Sequence, residues 1–116
     1  MAAMTTVLEE HRDLGDSRVY AQPTHTLGLP RLCVQKRHTP SGQQTVAEDS
    51  FTIQNGVKDV DGNVLPTRAS VAIIVRRPIN MDPTDTGLAS AISLSQEFID
   101  SDEFAAMVSG QKFVAS

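Results

Sequence analysis

The hydrophobic period of this chain changes once, and the change bounds the fold. In "ASVAIIVRRP" (residues 69–78), Ala69, Val71, Ile73 and Val75 alternate with Ser70, Ala72, Ile74 and Arg76, the period of two of a strand. Farther on, Leu88, Ala91, Ile92, Ser95, Phe98 and Ile99 recur with the 3.6-residue period of a helix. Everything regular before residue 78 is strand-like. "TTVLEEHR" and "SRVYAQ" flank "DLGD", whose Gly15 supplies turn chemistry, so the N-terminus reads as a β-hairpin. "RLCVQKRHT" follows as a strand ended by the Pro40-Ser41-Gly42 turn, and "TVAEDSFTIQ" as the next. Strands first and helices last is the order of an α+β fold with an antiparallel sheet.

The helices are marked by their ends. Asp82, Pro83 and Asp85 read as a cap, a first-turn proline and a first-turn acid. Ser101 or Asp102 restarts a second helix through Phe104, Ala105, Met107 and Val108, and Gly110 stops it. The expected layout is a single domain over 1–116, with a hairpin at 1–22, a sheet within 31–78 and two helices within 83–110. A chain of 116 residues has room for only a small core, which favours burial of more apolar surface by dimerisation.

The apolar helical stripe needs one sheet face beneath it, most simply that of Phe51, Ile53, Val71, Ile73 and Val75. The opposite face then carries Ser50, Thr52, Gln54, Ser70 and Arg76. The alternation in "RLCVQKRHT" places Arg31, Gln35 and Arg37 on that same open face, with Leu32 and Val34 beneath.

Charge is segregated along the chain. Residues 1–30 sum to −2, residues 31–78 to +3 and residues 79–116 to −5, for an overall −4. A basic middle between acidic ends speaks of partners more than of fold. Arg76 and Arg77 close the most hydrophobic strand, either as a solvated strand end or as part of a surface that meets phosphate.

Other chemistries find little support. "DVDGNV" (59–64) begins like a calcium loop, but its twelfth position is Ser70 where a bidentate Glu is needed, so Asp61-Gly62 reads as a surface turn. His11, His25, His38 and Cys33 lack metal-ligand spacing, and no cofactor motif is present. No nucleophile elbow or serine–histidine pattern argues for an enzyme. The lone Cys33 reads as a small packed residue. No run approaches the roughly 20 apolar residues that span a bilayer, so no membrane partner is expected.

In order of parts and in size, the chain resembles the coat proteins of single-stranded RNA bacteriophages, the leviviruses. The resemblance is most specific in "GNVLPTRASVAIIVRRPINMD" and "PTDTGLASAISLSQEFIDSDEFAAMVSGQKF". It implies an interlocked homodimer in which Leu88, Ile92, Phe98 and Phe104 pack on the partner's sheet, making one ten-stranded sheet. It also implies an icosahedral shell, usually T=3, assembled in the bacterial host cytoplasm and found in the virion.

The inward sheet face would hold phage genomic RNA, including an operator hairpin. The expected RNA-binding residues are Arg31, Gln35, Arg37, Thr52, Gln54, Ser70 and Arg76. The loop with Asp61, Gly62, Asn63 and Pro66 would line the shell's symmetry axes. Anchored on Cys33, the family pattern turns Leu32, Val34 and Lys36 inward instead. The alternation is preferred here because apolar side chains make a poor RNA surface. A small dimeric α+β RNA-binding regulator of cellular origin is the alternative that this sequence leaves open.

Overall fold

The computed structural model describes residues 3–40 and 45–114. They fall into two compact units divided between Asn80 and Met81. In the first, β1 (Glu9–Asp13), β2 (Ser17–Ala21), β3 (Arg31–His38), β4 (Val46–Asn55) and β5 (Ala69–Pro78) form one antiparallel sheet in chain order. The expected hairpin is therefore the first part of a continuous meander, because β2 also pairs with β3. Gly15, at φ 85°, makes the β1–β2 turn, where its N–H donates to Asp13 Oδ1 at 2.9 Å. Positive φ is costly for residues with a Cβ, hence glycine at this position. The β3–β4 turn expected at Pro40-Ser41-Gly42 extends outside the described residues.

The connection from β2 to β3 is tied down by its own polar groups. The Gln22 N–H donates to the Arg31 carbonyl at 3.0 Å, and His25 Nδ1 accepts from the Arg31 N–H at 3.1 Å. The Gln22 side-chain amide reaches Asn55 Oδ1 at 2.8 Å, and the Gly56 N–H bonds the Pro30 carbonyl at 2.7 Å. A Cβ on Gly56 would lie 3.1 Å from the Pro30 ring, so glycine permits this close approach.

The second unit holds α1 (Gly87–Ile99) and α2 (Asp102–Gly110). Helix α1 starts later than its sequence signals suggest. Asp82 Oδ1 accepts from both the N–H and the hydroxyl of Thr84, at 2.9 and 2.8 Å, and thereby closes a turn of its own. Such local side-chain bonds compete with helix formation, and Thr86 becomes the N-terminal boundary residue. The two bonds hold the Asp82 carboxyl below its usual range.

Helix α2 begins as expected, at Ser101, whose Oγ accepts from the Phe104 N–H at 3.2 Å. Its left-handed terminal residue is Gln111, at φ 54°, one place beyond the expected Gly110. Replacing Ser101 with Ala should cost about 1 kcal/mol by leaving that N–H without its acceptor. Chemical denaturation of the variant checks this value, and Ser101→Asp should restore most of the loss.

Little of the apolar surface is buried within one chain. Cys33, 3% exposed, is the only buried hydrophobic residue among those described. Val71 and Ile73 are 53% and 47% exposed, and neither helix has a buried residue. Phe98 and Phe104 meet edge to face, with centroids 5.5 Å apart, and both are half-buried.

Candidate nucleic-acid interface

Register decides which side chains share a sheet face, because residues directly opposite in an antiparallel pair point the same way. Cys33 lies opposite Ile53, and Ile53 opposite Val71. Gln35 lies opposite Phe51, and Phe51 opposite Ile73. The apolar face of the sheet therefore carries Arg31, Gln35 and Arg37 at its ends. Leu32 lies opposite Gln54, Val34 opposite Thr52 and Lys36 opposite Ser50. Through β4 these join Ser70, Ala72, Ile74 and Arg76 on the polar face.

This register corrects the face expected from alternation. Thr52, Gln54, Ser70 and Arg76 do share one face, but Arg31, Gln35 and Arg37 belong to the other. In β3 both parities mix apolar and charged residues, so alternation alone discriminates poorly. The informative signal was Cys33. Cysteine is among the most buried residue types, and its placement on the core face fixes the parity of the whole strand. Burial also pushes the Cys33 thiol pKa up. Leu32 and Val34 are half-buried on the polar face, where Val19 lies opposite Val34 on the β2 side.

The polar face has its own electrostatics. Arg76 Nε donates to Glu48 Oε2 at 2.9 Å, with the Arg76 side chain 63% exposed. Arg68, just before β5, donates to Gln54 Oε1 at 3.3 Å. Lys36 is exposed and makes no ion pair among the described residues. Lys36 and Arg68 were thus missing from the expected set, and the parity of Ser70 and Arg76 already pointed to Arg68. The adjacent arginines at the end of β5 separate. Arg77 takes the opposite face and pairs with Asp49 at 3.0 Å.

The 59–65 loop is well ordered by hydrogen bonds. Asp59 Oδ1 accepts from the N–H groups of Asp61 and Asn63, both at 2.9 Å. Gly62 adopts φ 84°, and Lys58 bridges Val64 at the base. Asp59 thus serves the turn itself. Asp61, Gly62, Asn63 and Pro66 are all exposed, and Val60 at the tip is fully so.

The whole architecture has counterparts among solved structures. The virus-like particle of Wenzhou levi-like virus 4 matches with a TM-score of 0.77 at 14% identity, covering 99% of this chain and 82% of that one. That of Beihai levi-like virus 32 matches at 0.74 and 12% identity, over 98% and 92% of the two chains. The chain has the levivirus coat-protein fold. The virus-like particle of bacteriophage GQ-907 shares it at a TM-score of 0.71 and only 7% identity, over 98% and 88%. No family model and no curated protein matches the sequence. At such identities the levivirus coat-protein fold is retained by the pattern of strands and helices, with few residues in common.

Proposed function

We propose that this protein is the coat protein of a single-stranded RNA phage: a homodimer that assembles into an icosahedral shell and holds RNA on its polar sheet face. The reading is carried by the match of nearly the whole chain to subunits of virus-like particles. The physical state of one chain supports it. A protomer with a single buried hydrophobic residue among those described needs a partner to cover Val71, Ile73 and its helices. Strand β5 is ten residues long, apolar and at the sheet edge, where unpaired backbone groups invite a second strand. Pairing of two such edges yields the ten-stranded sheet, with Leu88, Ile92, Phe98 and Phe104 laid on the partner.

The RNA face in this reading comprises Lys36, Ser50, Thr52, Gln54, Arg68, Ser70 and Arg76. Cations meet phosphate there, and the neutral residues hydrogen-bond exposed bases. No step of this function is catalytic. Electron microscopy of the purified, expressed protein should show closed shells of megadalton mass. Discrete dimers that bind RNA would instead favour a cellular regulator.

The loop is assigned to contacts around the symmetry axes. The loop lies between β4 and β5 and outside the five-stranded sheet, so removing Asp59–Asn63 should leave the sheet undisturbed. The deletion is expected to leave the dimer intact and to change particle size or yield. Light scattering beside a size-exclusion profile reads both. Unaltered particles would reduce the loop to a connector.

A further inference from the structure

A concavity of about 190 Å³ lies over β2 and β3, lined by Gly15, Asp16, Arg18, Tyr20, Gln35, Lys36 and Arg37. Arg18 and Arg37 against Asp16 leave it positive, while Lys36, at its edge, belongs to the polar face. Arg18 sits opposite Gln35 and Tyr20 opposite Cys33, so these residues belong to the apolar face of the sheet, away from the proposed RNA surface. The guanidiniums have donors to spare. Arg37 spends its Nε on Asp16 Oδ1 at 3.1 Å, and Arg18 stands 3.8 Å from Asp13. Their side chains are 68% and 53% exposed. Tyr20 and Asp13 hold the Arg18 pKa above its ordinary value.

We infer that this concavity receives the acidic joint between α1 and α2 of a second copy of the chain. The inference rests on the dimer reading above and gives it an electrostatic register. Charge complementarity selects the occupant. The segment 79–116 carries the −5 of the chain, and four of its acids, Glu97, Asp100, Asp102 and Glu103, cluster within seven residues at the joint. All four are exposed. The same helices carry half-buried Phe98 and Phe104, which need apolar cover. A helix pair laid on the Phe51–Ile73 region would thus find cations at the end of the same face. Apolar contact supplies the affinity, and the charges fix which way round the helices lie.

The test uses two charge-reversed full-length chains. One carries Arg18→Glu and Arg37→Glu. The other carries Glu97→Lys, Asp100→Lys and Glu103→Lys, the first two favourable to the C-terminal end of α1. Expressed alone, each should dimerise about tenfold more weakly than wild type. Co-expressed with distinct tags, they should pair with each other, since a heterodimer restores both sites. Native mass spectrometry is expected to show heterodimers well above the statistical half. Random pairing, or undiminished homodimers, would overturn the inference while leaving the dimer reading intact. Normal dimers of the Arg18/Arg37 variant with weakened RNA binding would also overturn it and assign the concavity to RNA. A monomeric wild type would overturn the dimer reading and this inference together.

Discussion

Phe104→Ala is expected to destabilise the dimer by about 3–5 kcal/mol, the usual cost of deleting a fully buried phenyl ring. In a single chain the same change should cost markedly less, because there Phe104 is only half-buried. The size of the loss therefore reports whether a partner covers the ring. Phe104 meets Phe98 edge to face at 5.5 Å, and its N–H is held by Ser101. Its position is thus set within the helical unit before any partner arrives. Because association and folding are coupled, the melting temperature should rise with protein concentration in the wild type. The variant should melt lower at every concentration. Thermal melts over a hundredfold dilution range read both effects. A folded monomer that persists at micromolar concentration, with a small loss for Phe104→Ala, would sink the dimer.

Lys36→Ala should lower RNA affinity and flatten its salt dependence, whereas Arg31→Ala should do neither. Each phosphate contact to a single strand contributes on the order of −0.7 to the slope of log affinity against log salt. Lys36 lies on the polar face with no ion pair of its own among the described residues, and Arg31 lies on the opposite face. Arg76 is a subtler case. Its ion pair with Glu48 already neutralises part of its field, so Arg76→Ala also leaves a carboxylate facing phosphate. Glu48→Ala should accordingly raise affinity. Thr52 and Gln54 carry no charge, so their replacement should alter the preference among hairpins and leave the slope unchanged. Affinities of assembly-blocked dimers, measured at several salt concentrations, separate these effects. Equal slopes for Lys36→Ala and Arg31→Ala would remove the RNA face from the polar side of the sheet.

Local chemistry was legible where one residue type answers one local need. Gly15 and Gly62 occupy left-handed positions, and Ser101 caps α2. Strands β3, β4 and β5 begin and end close to where their apolar runs do. Local signals were weaker at the start of α1, where Asp82 had two uses. A capping side chain can serve a helix or an isolated turn, and here Thr84 claimed it.

By itself the sequence determined that four or five strands come first and two helices last, since period and turn residues act within a few positions along the chain. Only the tertiary structure decided which face each side chain of β3 joins. A strand with charges and aliphatics on both sides can satisfy its own alternation either way. The hydrogen-bond register with β4 fixes the choice, placing Cys33 against Ile53 and Lys36 against Ser50. Alternation already divides Arg76 from Arg77, and the structure adds the acid on β4 that each meets, Glu48 and Asp49. A slip of one residue in the β3–β4 register would reverse every side chain of β3, so the cations that share the polar face are set by pairing between strands.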